Sequence, residues 1–190
     1  MDAIFTGLGL SSAAGLNAYI PLLTLALAGR LGYAQLNSPY DALSSNLGIA
    51  VLVLLLAVEV FADKIPGVDH VNDAINTLVR PAAGAVLFLS SNGAGTLHPA
   101  LAAVLGLLSA GGVHAMKATG RPVVTMTTAG IGNPVVSVIE DVIATVLALL
   151  ALIAPVAVAV LLLLLVLAFF VLVRRLRARR ARRAEPATSA

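Results

Sequence analysis

The sequence predicts an all-α fold: a polytopic membrane helical bundle of about six spans, built as two inverted three-helix repeats. Three observations predict it. Of the 190 residues, 59% are hydrophobic and only 11% charged, and mean hydropathy is +1.01, which leaves too little polar surface to coat a water-soluble globule. Apolar runs of about 20 residues, the length that crosses a bilayer, recur as far as residue 173. The basic residues are clustered, seven of the twelve lying between Arg174 and Arg183.

Taken in order, the candidate spans are 4–29, 39–62, 74–91, 98–117, 134–154 and 155–174. The third is the shortest on apolar content, because Arg80 and Pro81 leave only Ala82 to Leu89 uninterrupted, so it reads as a tilted span or a re-entrant half-helix. The fifth and sixth form one apolar stretch about twice the bilayer thickness, broken by Pro155, where a tight turn is expected. With no basic region ahead of the first apolar stretch, the N-terminal segment is expected to be retained rather than cleaved as a leader.

Lysine and arginine mark the cytoplasmic side. Six spans with the Arg174–Arg183 run inside also place loops carrying Lys64, Arg80, Lys117 and Arg121 inside, leaving only Arg30 outside, eleven basic residues against one. The expected organisation is a transmembrane domain, 1–174, with repeats 4–91 and 98–174, and a disordered basic cytoplasmic tail, 175–190. Both termini then face the cytoplasm. The tail reads as a stop-transfer anchor drawn to anionic lipid; a nucleic-acid partner is not expected.

The repeat is visible in the sequence itself. Ser12-Ala-Ala-Gly-Leu-Asn-Ala18 matches Ser109-Ala-Gly-Gly-Val-His-Ala115 at four of seven positions and sets Asn17 opposite His114. Asn37-Ser-Pro39 then aligns with Gly132-Asn-Pro134, and Ser45-Asn46 with Glu140-Asp141. Three spans per copy would invert the second copy, the architecture of many secondary transporters. Ala- and Leu-rich sequence also produces such matches by chance, and another register pairs Lys64 with Lys117 and Pro81 with Pro134.

Several blocks carry a family resemblance: Gly9 to Leu23 with Gly15 and Pro21-Leu-Leu; Glu59 with Ile65-Pro-Gly-Val-Asp69 and Asp73; Pro81-Ala-Ala-Gly84; and Gly132-Asn-Pro-Val-Val-Ser137 with Glu140. Together they resemble the bacterial membrane family known as domain of unknown function 4126, over about residues 4–155. The sequence departs from that family's pattern at Gly67, where an aromatic residue is usual, and at Asp141, where asparagine is. The resemblance implies a multi-pass inner-membrane protein and no particular activity.

Ionisable groups held within a membrane are costly and are therefore candidate functional residues. Glu140 and Asp141 fall about two turns into the fifth span if Pro134 sits at its start, with Ser137 one turn earlier; the plain alternative places the pair at the headgroup level. A second group is Glu59, Asp63, Lys64, Asp69, His70 and Asp73, in which Asp69 and Asp73 share one helical face with Asn76 nearby, a pattern suited to a hard cation or a proton relay. The alternative is a solvated loop. A third is Asn17 with His114 and Lys117, lining a pathway or serving, like the small residues Gly7 to Gly15, as helix-packing contacts. The stretch Thr125–Pro134, with Asn133, Pro134 and Ser137, is a candidate gate.

No cofactor is expected. The absence of cysteine removes thiolate metal sites and cysteine nucleophiles, the three histidines lack ligand spacing for zinc, and no P-loop, dinucleotide fingerprint, nucleophile elbow or His-Glu-x-x-His is present. An enzyme is therefore not expected. The leading expectation is a small-solute or ion transporter or channel, forming a homo-oligomer, with a path along Asn17, Glu59, His114 and Glu140. The other is a membrane scaffold or lipid-interacting assembly protein without transport.

Overall fold

The computed structural model describes residues 2–62, 65, 68–93 and 95–184; the side chains of Asp69, His70, Asp73, Leu172, Val173 and residues 176–184 lie outside the described set. Among the described residues the chain is entirely helical: α1 (Asp2–Leu16), α2 (Tyr19–Arg30), a single 3-10 turn (Tyr40–Ser44), α3 (Asn46–Ala62), α4 (Val68–Ser91), α5 (Pro99–Thr128), α6 (Asn133–Ile153) and α7 (Pro155–Ala184). Three helices are long and apolar enough to cross a membrane, within Ala74–Ser91, Pro99–Thr128 and Asn133–Ile153. The third candidate span is thus an unbroken helix that continues through Pro81.

Large apolar side chains such as Leu54, Leu78, Leu108, Ile153 and Leu163 are exposed, as a hydrocarbon solvent favours. The interior holds bulky residues, Leu10, Leu25, Leu87 and Phe88, small ones, Ala13, Ala14, Ala110, Ala144 and Ala148, that let helix backbones approach, and polar groups. The closest approach is between α4 and α5. A Cβ on Gly84 would collide with the Gly106 carbonyl, and one on Gly106 with the Gly84 carbonyl, so each helix needs glycine at that point.

The first candidate span is not one span. The α1 helix ends at Leu16 and α2 begins at Tyr19, and the two ends of this pair lie at the same end of the bundle. Near the start of α1, Ala3 and Thr6 share a small cleft with Leu25, Ser90, Ser91 and Leu152, and Asp2 lines a neighbouring one with residues Ile153 to Ala157 of the α6–α7 turn. From there α1 descends. Gly7 meets Phe88, Gly9 meets Ala151 and Val158, Gly15 meets Ala110 and Val113, and Asn17 reaches Asp141. The α2 helix then climbs back, placing Ala28 and Leu31 beside Leu152 and Ile153 and joining Arg30 to the Asn46 side chain. With 15 and 12 residues, these helices are about 22 and 18 Å long, each too short for a hydrocarbon core of about 30 Å. They form a helical hairpin, its two outer ends at one end of the bundle.

Asn17 makes the reversal. Its Oδ1 accepts from the backbone N–H groups of Tyr19 (3.0 Å) and Ile20 (3.2 Å), the role of an N-cap, and Pro21 sits in the first turn of α2, where a missing N–H is tolerated.

This hairpin departs from the single first span expected. Asp2 lies at the end of the bundle where α7 starts, and α7 runs away from that end past Gly9, so Asp2 and the far end of α7 lie at opposite ends of the bundle, whereas six spans put the two on one side. The arginine-rich segment expected to be disordered from residue 175 continues α7 to Ala184, because alanine and arginine both favour helix. The expected gate at Thr125–Pro134 is also reduced: Thr125–Thr128 ends α5, Asn133 begins α6, and the connection is a tight turn with Ala129 (φ 51°) and Gly130 (φ 83°) left-handed. A left-handed residue closing the helix satisfies its last carbonyls within four residues, which leaves no re-entrant segment there.

Candidate functional site: a buried layer of ion pairs around the hairpin tip

The buried stripe of α5 reads Ala102, Gly106, Ala110, His114, Lys117 and Arg121. The spacing of four, four, four, three and four keeps one face throughout, so the face that packs tightly in its first half carries cations in its second. The other helices change character in the same way. On α4, Asn76 and Arg80 precede Ala83 and Leu87; on α6, Asn133, Ser137, Glu140 and Asp141 precede Ala144, Ala148 and Ala151. Counted along each helix from the end that holds Asp2 and Ser91, the polar residues Asn17, Glu59, Arg80, His114, Lys117 and Glu140 lie about 17–27 Å deep at 1.5 Å per residue. They form one layer.

Two ion-pair groups make up this layer. In the first, the Arg80 guanidinium donates to Glu59 Oε1 at 2.9 Å, with the two side chains 0% and 1% exposed, and Asn76 Nδ2 donates to the same oxygen at 3.1 Å. Arg80 also approaches His114 Nδ1 at 3.1 Å, while His114 Nε2 lies 3.1 Å from Thr77 Oγ1. A guanidinium can only donate, so Nδ1 is the acceptor in this contact, and Nε2 faces the threonine hydroxyl.

In the second group, Glu140 Oε2 accepts from Lys117 Nζ at 2.8 Å and from Arg121 at 3.1 Å. Lys117 Nζ also donates to the carbonyl of Leu16, the last residue of α1, at 3.1 Å. One residue further on, Asn17 Nδ2 donates to Asp141 Oδ1 at 2.9 Å. The hairpin tip is thus held on one side by a cation and on the other by a carboxylate. Among the described side chains, the cations Arg80, Lys117 and Arg121 lie in one layer with the carboxylates Glu59, Glu140 and Asp141. Toward the opposite end, Asn133 pairs with Thr125 (3.1 and 3.2 Å) and Ser137 is fully buried.

Of the residues singled out in the sequence, Asn17, Glu59, His114, Lys117, Glu140 and Asp141 come together in this layer. Asn133 and Ser137 lie below it on the α6 stripe, and Pro134 opens that helix. The side chains of Asp69, His70 and Asp73, and residues 63 and 64, lie outside the described set. Asn76, expected beside Asp69 and Asp73, is turned to Glu59. His98 is remote, its Nδ1 capping the start of α5 through the Ala100 N–H. No group of three or more potential metal ligands occurs among the described residues.

Arg80 and Arg121 were missed as site residues because each reads as a loop charge beside a proline. Both are buried inside helices and paired with carboxylates, as Lys117 is, and do not lie in loops. The available signal was periodicity: Asn76–Arg80 and His114–Lys117–Arg121 fall at helical spacing on the faces that pack.

A cleft of about 440 Å³ lies at the other end of the bundle, between Asn37, Tyr40, Asn92 and His98, and one of about 470 Å³ between α2 and α6 is lined by Thr24, Tyr33 and apolar residues. Neither includes a residue of the charged layer.

Comparison with protein families matches residues 4–175 to the family described as Domain of unknown function (DUF4126). No curated protein and no solved structure matches the chain.

Proposed function

The chain belongs to the domain of unknown function 4126 family, and from that premise we propose that it is a polytopic inner-membrane protein that moves a small ion or solute past the tip of its re-entrant hairpin. The observation that carries this reading is the placement of a helix break, Leu16 to Tyr19, inside a buried layer of paired charges. Interrupted backbone at membrane depth persists only where protein or a water-filled path covers it, and half-helix ends are the usual ligands for substrates and coupling ions in transporters. In this reading α3 to α7 make five crossings beside the hairpin. The α3–α4 pair runs down and up and the α6–α7 pair up and down, the relation expected of inverted repeats. In the same reading the arginine run at the end of α7 faces the cytoplasm, where basic residues are retained, near anionic lipid, and the N-terminal end lies outside. Small-residue helix faces suit a homo-oligomer.

The ion pairs close the path, so passage requires them to separate. The chain has no cysteine, and Ala18, at the tip, is fully buried. In proteoliposomes containing the Ala18→Cys variant, ion flux (radiolabelled sodium, rubidium or chloride, and protons read by an internal dye) is expected above that of empty vesicles, with a small thiol reagent blocking it. No flux in any assay, together with a cysteine that is never modified, would leave the assembly-protein reading in its place.

A further inference from the structure

Three clefts meet at the open end of the hairpin. The largest of them, about 470 Å³ between α2 and α6, is apolar apart from Thr24 and Tyr33, and the Thr24 hydroxyl donates to the carbonyl of Ile20 at 2.8 Å. From Leu31 to Thr24 it runs about 10 Å along α2, two-thirds of the roughly 15 Å of hydrocarbon in one leaflet. At its upper end Tyr33 and Leu152 also line a cleft of about 180 Å³ with Thr6, Gln35 and Ser90. Thr6 and Leu152 in turn line one of about 430 Å³ that includes Asp2. The three make one groove, apolar below and polar above. Tyr33, 85% exposed, stands where the two halves meet, and tyrosine favours the level of the headgroups.

We propose that this groove binds one phospholipid of the surrounding leaflet, with an acyl chain between α2 and α6 and a zwitterionic, ammonium-bearing headgroup toward Asp2. The apolar half confers no preference by itself, because a lipid tail gains little on exchanging one apolar neighbour for another. Selection therefore falls to the polar half. There Asp2 is exposed and is the only charged side chain among the described lining residues, while Arg30, at the end of α2, is turned to Asn46. A carboxylate in such a lining attracts an ammonium and repels a headgroup of net negative charge. The bound chain braces α2 against α6 by supplying the contacts that the cleft leaves out. This inference rests on the membrane placement of the hairpin and not on transport, so an absence of flux does not decide it.

The chain has no tryptophan, which makes fluorescence quenching a direct test. A single Leu149→Trp or Ile153→Trp reports from the cleft, and Leu164→Trp, exposed on α7, reports from outside it. Each variant is placed in vesicles of phosphatidylethanolamine and phosphatidylglycerol, with one lipid or the other brominated in its acyl chains. Brominated phosphatidylethanolamine should be preferred about two- to fivefold at both cleft reporters, the selectivity that one exposed ion pair supplies, and Leu164→Trp should show no preference. Asp2→Asn, a change at an exposed residue, should remove the preference. The proposal is overturned if the cleft reporters match Leu164→Trp, as ordinary surrounding lipid would make them, if they prefer phosphatidylglycerol, or if the preference survives Asp2→Asn. It is equally overturned if neither lipid quenches the cleft reporters, as a second copy seated on the groove would cause. Loss of quenching at Leu164→Trp as well would remove the membrane placement itself, and the proposal with it.

Discussion

Replacing Glu59 by Gln is expected to destabilise the protein by about 3–5 kcal/mol, the usual consequence of removing one partner of a buried ion pair. Glutamine preserves the volume and an acceptor for Asn76, so the loss isolates the charge. Arg80 is fully buried, and its charge has no water to turn to. The pair itself is not strongly stabilising, because burying both charges offsets most of their attraction. Adding Arg80→Met to Glu59→Gln should therefore recover much of the stability lost in the single variant. Thermal unfolding in micelles compares the three proteins. Single variants within about 0.5 kcal/mol of the native protein, the range of ordinary surface substitutions, would show that these side chains are solvated in the membrane.

The second large effect is an asymmetry within the other ion-pair group. Glu140 neutralises two cations, Lys117 and Arg121, whereas loss of Lys117 still leaves Glu140 paired with Arg121. Glu140→Ala should thus be clearly less stable than Lys117→Ala, near the lower end of the same about 3–5 kcal/mol range because the Glu140 side chain is partly accessible, 12%. Arg121→Gln in the Glu140→Ala background should restore part of the loss by removing one of the two cations that Glu140 balances. Equal unfolding midpoints for Glu140→Ala and Lys117→Ala would contradict the arrangement in which one carboxylate serves both cations.

Part of this architecture is legible in the sequence, because hydrocarbon imposes length and apolarity on each helix. The α6 helix and the start of α7 fall where expected, whereas α3 starts at Asn46 and not 39, α4 at Val68 and not 74, and α5 runs on to Thr128 and not 117, the last two because polar helix ends carry no apolar signal. The first 30 residues are different. Their apolar character is continuous from Ala3 to Gly29, and the break depends on a single hydrogen-bonding pattern, Asn17 capping α2 ahead of Pro21, which a hydropathy window averages away. The candidate carboxylates were found because an acidic residue within an apolar run is conspicuous. Their cationic partners were not, since lysine and arginine beside proline or glycine suggest loops and topology markers, and only helical spacing on a packed face separates Arg80 and Arg121 from that pattern. The surroundings of His114 were not readable at all, because they include a guanidinium contributed by another helix.

The hairpin itself is tested most directly by the sidedness of its two ends. In a cysteine-free chain, single cysteines at Asp2, at the exposed Tyr33 and at the exposed Ile131 in the α5–α6 turn can be labelled with a membrane-impermeant maleimide in intact cells and in inverted vesicles. The re-entrant arrangement predicts that Asp2→Cys and Tyr33→Cys react from one side and Ile131→Cys from the other. Labelling of Asp2→Cys and Tyr33→Cys from opposite sides would mean that residues 2–30 cross the membrane as one span, and the tip would no longer belong to the charged layer.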